Sequence, residues 1–576
     1  MAINNPYIPG DPYSYDLKWV VAKVKEILAQ LGTLDEAIEA KIFEGFLEHS
    51  VVQFQTVPEM LAADITDGSI VLTLGYHEAG DQGGLFYLVK DFNPSQCSLD
   101  YFLTMDNNAQ IAIPVFVTPY VTPEMFGAYG DGVADDSDPF KNAFNYGVVV
   151  LKNDYVISKS IPLKADQTVL SSGTITLTSN ASDIFTASDI DNFKWVGGIV
   201  KSNGTDTPSN RVFTFDRCEN VHLEGLNIYD IPFTWAIRFN AVKNSKIVQN
   251  AIEHYSYGGI GLLNGCDNIL IDGNSVKYLD IPGDGTGYPI MLSGGETSSF
   301  NVCENVVCVN NYIENTLVRW EGINAHGGKN ITISNNIVKG SRMGINASNE
   351  KRNHPFEMDN LIISDNTCIS PDSSTLYGYG IIVGGNNITV TGNIIVGYDT
   401  TPLSSGIYAR YGSNVMIKDN TVKSCACGLT LSDNITGVTG PTVIRNNIFD
   451  TCGRWTQTND STTMRVLDTQ LQTIITDNLI IKADGVFRAT TAALAGSYVR
   501  YERNIISDAI NPSFSGNNEI ITDRRSVAPS NANTKMGLLG DIVSLETPRS
   551  GNAFAWICTS PWDGTSATWV PLIVAP

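Results

Sequence analysis

From about residue 212 to 508 the chain repeats one arrangement of polar and apolar positions. A polar residue opens each copy, alternating β-branched residues follow, and then comes Asn with further apolar residues behind it. Copies run from 244 to 252, 268 to 276, 305 to 313, 330 to 338, 360 to 368, 387 to 395, 414 to 422, 441 to 449 and 472 to 480. The inner Asn falls at 250, 274, 311, 336, 366, 393, 420, 447, 478 and 504, at spacings of 24 to 37 residues. Inside each spacing lies a second apolar run, often opened by glycine, as in Gly322-Ile323-Asn324-Ala325, Gly344-Ile345-Asn346-Ala347 and Gly406-Ile407-Tyr408-Ala409. Period-two alternation over short runs bounded by turn residues predicts at least two strands per repeat.

A repeat of this length built from short strands reads as a solenoid. One such coil cannot bury its apolar face alone, but coils stacked about 4.8 Å apart bury a continuous core and form parallel sheets. A leucine-rich repeat would need several Leu per unit, whereas Ile, Val and Asn dominate here. The recurring Asn is expected to take a left-handed turn and to hydrogen-bond the equivalent Asn one coil away.

Composition narrows the function more than the fold. A hydrophobic content of 43% supports a real core, and only 17% of residues are charged, which suits a turn-rich β protein better than a helical bundle. The net charge of −23 argues against nucleic acid and anionic membranes as partners. No apolar run is long enough to span a bilayer, and the N-terminus lacks a basic-then-apolar secretory pattern. A chain made in a cytosol without a signal peptide is the expectation. The ten Cys include no CxxC pair and read as reduced packing residues, with Cys425 and Cys427 on one strand face.

The ends differ from the middle. Apolar residues at Val20, Val24, Ile27, Leu31, Leu34 and Ile38 follow a heptad seam, predicting a self-associating helix within residues 18 to 48. Residues 51–120 read as a small β-rich module. Next, Gly130-Asp131-Gly132 reads as a turn, and Ser137 or Asp138 is expected to cap a helix starting at Pro139. Phe140, Ala143 and Phe144 would face inward and plug the solenoid end. Asp131, Asp135 and Asp136 are read as turn and cap residues.

Several of these stretches carry a resemblance. Val57-Pro58-Glu59-Met60-Leu61, Thr73-Leu74-Gly75-Tyr76-His77 and Gly80-Asp81-Gln82-Gly83-Gly84 resemble the connector ahead of the body of many phage tailspikes. Phe126-Gly127-Ala128-Tyr129-Gly130-Asp131-Gly132-Val133-Ala134-Asp135-Asp136 resembles the opening motif of the pectate-lyase superfamily. Gly537, Gly540-Asp541, Trp556 and Trp569 resemble a small C-terminal module of some phage tail proteins.

The resemblance implies an all-β fold: a right-handed parallel β-helix (solenoid) with a short N-terminal helical segment and a small C-terminal β-module. Its parts would be an attachment segment at 1–50, a connector at 51–120, the β-helix at 121–510 and the module at 511–576. It further implies a homotrimeric tailspike in the virion, joined to tail proteins through the N-terminal segment. Its ligand would be a host-cell surface polysaccharide. A scaffold of this kind hosts hydrolases, lyases and plain adhesins, so the residues must separate them.

Loop length points to the site. The 37-residue spacing carries Asp284 and Glu296, and the 30-residue spacing carries Glu350, Lys351 and Arg352. Between them lies a short coil, Arg319-Trp320-Glu321-Gly322-Ile323-Asn324-Ala325-His326. If Ile323 and Ala325 face the core, Asn324 and His326 face out. The same offset exposes Asn346 and Ser348, Tyr408 and Arg410, and Arg238 and Asn240. Such a strip suits a sugar chain.

Glycoside hydrolysis needs two carboxyl groups, and stacked coils supply the required separations. Glu321, Asp284, Glu296 and Glu350 are the candidates. Glu321 leads because Trp320 beside it would desolvate the carboxyl. A lyase would instead use His326 as base, with Arg410, Arg352 or Lys351 neutralising a uronate. Hydrolase is favoured over lyase. A non-catalytic glycan-binding spike and an extracellular bacterial polysaccharide enzyme are the alternatives. Arg238, Asn324, Asn346, Arg352, Tyr408 and Arg410 are the expected substrate-binding residues. No cofactor and no catalytic metal are expected.

Overall fold

The protein is described from a computed structural model that covers residues 51–92, 99, 101–178, 183–202, 211–231, 235–279, 287–294, 301–348, 358–371, 377–432, 440–453, 463–467, 472–482, 487–490 and 498–507. Beyond these it covers the strands at 514–515, 519–525, 542–545, 553–560 and 568–573. The helix expected within 18 to 48 lies outside the described residues. Those described fall into two compact units.

The unit that ends at Thr205, and includes His222–Asn227, opens with a five-stranded sheet. Val52–Phe54 pairs in parallel with Ile70–Thr73, and Phe86–Asp91, Gln110–Val115 and Leu103–Thr104 continue antiparallel. Asp81 organises the Tyr76-to-Gly83 loop by accepting the N–H groups of Tyr76, His77, Glu78 and Gly83 at 2.7 to 3.0 Å. Burial works against that charge, but the four donors outweigh it and hold the carboxyl below its usual range.

The helix runs from Ser137 to Ala143 and starts two residues earlier than Pro139. Its N-cap is Asp136, whose side chain makes no cap bond and instead accepts the Tyr129 N–H at 2.8 Å. The Ser137 hydroxyl accepts the Ser158 N–H at 2.8 Å, so it ties the helix start to the residue just after the strand Asp154–Ile157 and does not cap it. Asp136 is fully buried and one of its carboxylate oxygens has no partner. Burial pushes its pKa up to about 6 against its backbone donors. Phe140, Ala143 and Phe144 are buried, as the pattern required. Phe140 meets Tyr155 edge-on at 4.8 Å, and Phe144 lies 5.8 Å from Trp195. Both partners lie on coil strands, so the helix closes over the apolar interior of this unit's coils. Those coils are parallel: Val148–Leu151 pairs with Thr168–Ser171, which pairs with Lys194–Val196, which pairs with His222–Glu224.

In the second unit each coil contributes three strand segments, one more than the minimum the pattern required. The Asn-marked copy is two strands with a bend between them, as in Lys243–Val248 and Ala251–Tyr255. The glycine-opened run supplies the third, as in Gly258–Leu263. Each strand pairs in parallel with its counterpart one coil on. One interior stack runs Ile269, Val306, Ile331, Leu361, Ile388 and Val415 in direct register, none more than 3% exposed. Three C-terminal strands, Ile542–Leu545, Ala553–Ser560 and Thr568–Ile573, pair antiparallel.

The Asn residues form the expected column. From Asn250 to Asn504 each side-chain amide donates to the next Asn's Oδ1 at 2.8 to 3.0 Å. All ten are buried. The left-handed residue is the one just before each of them: Gln249, Gly273, Asn310, Asn335, Asp365, Gly392, Asp419, Asn446, Asp477 and Arg503, with φ between 54° and 68°. The ladder Asn itself turns inward and satisfies the carbonyls exposed by the bend. The copies' opening Asn residues (244, 268, 305, 330, 360, 387 and 414) do adopt positive φ, 50° to 56°. They form an exposed column of their own, with bonds such as Asn268 to Asn244 and Asn360 to Asn330.

Eight Cys have described side chains, all of them buried free thiols. Cys427 opens the strand Cys427–Ser432, but Cys425 sits in the preceding bend, so the two do not share a strand face.

Candidate functional site

The short coil singled out above turns a corner at Gly322. A Cβ there would lie 2.4 Å from Cγ1 of Val338, a fully buried residue, and 2.7 Å from the Gly344 carbonyl oxygen. Gly322 therefore faces the core, and so does its neighbour Ile323. Two successive inward positions break the alternation and put Glu321 on the outer side with Asn324. Strict period-two counting would have placed Glu321 inward with Ile323 and Ala325.

Both carboxylate oxygens of Glu321 are held. The Asn324 amide donates to Oε2, and the Asn346 amide donates to Oε1 at 2.7 Å. Asn346 stands directly one coil on from Asn324. Ser348 donates its hydroxyl to Asn346 Oδ1 at 2.8 Å, which turns the NH2 end of that amide toward Glu321. The outward parity expected for Asn324, Asn346 and Ser348 holds, but their exposure does not: all three are buried, and Glu321 is 0% exposed. Asn324 Oδ1 is buried without a hydrogen-bond partner, an acceptor still open beside the carboxylate.

Aromatic rings crowd the same side. Trp235, Leu263, Tyr288 and Met291 form a cluster, with Tyr257 and Trp320 packed against it. Trp235 meets Tyr257 edge-on at 5.4 Å, and Tyr257 meets Tyr288 at 5.6 Å. Gly258 leaves room for the indole, since a Cβ there would lie 2.1 Å from it. The Tyr257 phenol is pushed above its ordinary value by burial and then by the negative charge of Glu321, which places it within the field of that carboxylate. The Arg342 guanidinium lies 4.9 Å from the Trp320 ring and 4.2 Å from the Tyr377 ring, and its Nε donates to the Tyr377 carbonyl at 2.8 Å. Tyr377 neighbours Tyr379 at 5.7 Å, Tyr379 stacks on Tyr408 at 5.0 Å, and Arg410 covers Tyr408 at 5.0 Å.

One outer row carries most of the expected binding residues. Strand register aligns Arg238, Gly261, Met291, Asn324, Asn346, Ile382 and Tyr408 coil by coil. At about 4.8 Å per coil the row is about 29 Å long. Arg238 stands three coils before Asn324, is buried and pairs with Asp216 at 3.2 Å. Tyr408, two coils beyond Asn346, and Arg410 are half-buried. His326 packs edge-on against Tyr288 at 5.9 Å, and its backbone N–H donates to the Ser293 carbonyl. Asp284, Glu296, Glu350, Lys351 and Arg352 lie outside the described residues. Sequence reasoning missed Trp235, Tyr257, Tyr288, Arg342, Tyr377 and Tyr379. A usable signal was present: Tyr257, Tyr377 and Tyr379 each directly precede a glycine. Among the described residues no group of three or more His, Cys, Asp or Glu is arranged to hold a metal ion. Among them, too, no helix is long and apolar enough to cross a membrane.

Residues 356–500 match the family model described as a right handed beta helix region. The chain is a right-handed parallel β-helix. The β-helix resembles the tailspike protein of E. coli bacteriophage HK620 in several solved structures. A Glu-to-Gln variant in complex with a pentasaccharide superposes with a TM-score of 0.60 at 12% identity, covering 80% of this chain and 92% of that one. A related variant with a hexasaccharide gives 0.59 at 12%, covering 81% and 93%. An Asp-to-Asn variant with the pentasaccharide gives 0.57 at 12%, covering 80% and 92%. At this identity the likeness is one of fold. No curated protein sequence matches this chain.

Proposed function

We propose that this β-helix is a phage tailspike that binds a bacterial surface polysaccharide along its outer row and hydrolyses it with Glu321. The observation that carries the reading is the Glu321 carboxylate, set on the outer side by the Gly322 corner and gripped by two amides, with the Tyr257 phenol in its field and its chain neighbour Trp320 packed on the aromatic cluster. Aromatic faces and amides are what a sugar chain uses, the first for its apolar faces and the second for its hydroxyls. The tailspike structures it resembles hold oligosaccharides, in variants where a Glu or Asp is replaced by the amide.

Two N–H donors suit an ionised carboxylate, so Glu321 takes the nucleophile or base role. One of Asp284, Glu296 and Glu350 then supplies the proton to the leaving oxygen. His326 remains the base of the lyase alternative. The full burial of Glu321 favours a second reading, in which its carboxylate only pins Asn324 and Asn346 and the row binds glycan without cutting it. In either reading residues 1–50 join the virion, 51–120 connect, 121–510 form the β-helix, 511–576 close it, and three chains assemble.

The test is incubation with capsule or lipopolysaccharide from candidate hosts. New reducing ends identify a hydrolase, and ends absorbing in the ultraviolet as unsaturated uronates identify a lyase. Binding with neither identifies an adhesin. Glu321→Gln should lose cleavage and keep glycan binding; cleavage at the parent rate in that variant removes the catalytic assignment.

A further inference from the structure

The outer row continues past Tyr408 to Thr430 and then to Arg465, each one coil beyond the last. Arg465 is 5% exposed. One of its terminal nitrogens donates to Thr430 Oγ1 at 3.2 Å, and Thr430 Oγ1 lies 2.7 Å from the Ser405 hydroxyl. Its Nε has no hydrogen-bond partner. Among the described residues no carboxylate lies within ion-pair distance of Arg465, nor of Arg410, whose contact is with the Tyr408 ring. The chain has acid to spare, with 60 Asp and Glu against 37 Lys and Arg. Arg238 and Arg503 pair with Asp216 and Asp477, and the buried Arg342 is held between the Trp320 and Tyr377 rings with its Nε on the Tyr377 carbonyl, whereas the Nε of Arg465 is left over. A buried cation without a counter-charge is expensive to keep, and burial normally demands a partner. The two cations also converge. Both lower the proton affinity of one phenol, that of Tyr379, which burial nevertheless pushes up to about 12.

We propose that Arg410 and Arg465, with Thr430 and the Tyr379–Tyr408 ring pair beside them, form a subsite for an anionic sugar. The planar guanidinium fork matches the carboxylate of a uronic acid or a phosphate substituent, and the stacked rings take the sugar's apolar face. The inference rests on the glycan-binding reading above and adds the charge class of the glycan.

The experiment uses the full chain and three probes at equal ionic strength: oligogalacturonate, glucose 6-phosphate and neutral maltohexaose. Thermal shift and titration calorimetry read the binding. An anionic probe should raise the melting temperature where maltohexaose does not. Response to oligogalacturonate alone assigns a carboxylate, and response to the sugar phosphate alone assigns a phosphate. Arg465→Met should weaken the anionic probe tenfold or more, and Arg465→Lys should retain part of it. Without ligand, Arg465→Met should melt at or above the parent temperature, because it removes an uncompensated charge. Three results overturn the subsite: no preference for the anionic probes, undiminished binding in Arg465→Met, or loss of fold in that variant, which would make the arginine structural. A chain that binds a neutral host polysaccharide equally well with Arg465→Met loses the subsite but keeps the proposed function. A chain that binds no polysaccharide of either charge loses both.

Discussion

The buried Asn column makes a prediction whose size follows from counting hydrogen bonds. Asn393 is fully buried. Its amide donates to the carbonyls of Ile363 and Thr391 and to Asn420 Oδ1, at 2.9 to 3.1 Å. Its Oδ1 accepts the backbone N–H and the side-chain amide of Asn366, both at 3.0 Å. In Asn393→Ala the Asn366 N–H loses its partner outright, which costs about 1–3 kcal/mol for a buried donor. The two carbonyls, Asn420 Oδ1 and the Asn366 amide each lose one bond of about 0.5–1 kcal/mol, so the total is about 3–7 kcal/mol. Asn393→Asp keeps the acceptor but points a second oxygen at three oxygens. That carboxyl should be held protonated, its pKa raised above the unfolded value of about 3.9. A raised carboxyl pKa means the folded state keeps a proton that the unfolded state releases, so this variant loses stability as pH rises above about 4.

The exposed column supplies the control. Asn330→Ala there loses solvent-facing bonds and the side-chain amide that eases a left-handed φ of 54°, at about 1–2 kcal/mol, while Asn330→Gly removes the Cβ strain. Guanidinium unfolding followed by far-ultraviolet circular dichroism measures all four variants, with unfolding rates compared if refolding is incomplete. A loss below about 1 kcal/mol in Asn393→Ala, or Asn393→Asp equally stable at pH 4 and pH 8, would refute the hydrogen-bond accounting.

Other consequences follow from the same structure. Asp136, with a folded pKa of about 6, holds its proton in the native state while the unfolded chain releases it. It should therefore cost stability as pH rises from about 4 to 6, by about 1–2 kcal/mol; Asp136→Asn should flatten that slope in a pH series of melting temperatures, and an unchanged slope counts against the assignment. Gly344→Ala would put a Cβ 2.5 Å from the Gly380 carbonyl oxygen and 3.0 Å from Cys368 Sγ. It should destabilise by about 1–3 kcal/mol in the same unfolding assay, and a neutral result would mean the coil stack yields easily there. Trp320→Ala removes one face of the Arg342 sandwich and should weaken glycan binding by calorimetry severalfold or more, with the melting temperature little changed; unaltered affinity would take Trp320 off the binding surface.

What the sequence determined by itself was everything set by local period. The spacing of Asn250 through Asn504 marked the coils, because a buried amide must meet its own kind at each turn. The alternation around Ile323 and Ala325 fixed which side of the strand faces in. The tertiary structure decided what depends on corners and on neighbours far along the chain. Glu321 shares the parity of Ile323, yet it faces out because Gly322 and Ile323 both turn inward, a break that period-two counting does not register. Asn324 and Asn346 read as surface residues because alternation gives direction and not cover, and they prove buried. Arg465 carries no local signal at all: its meaning is that no carboxylate among the described residues lies near it, and that is a property of packed space, where residues dozens of positions apart become neighbours.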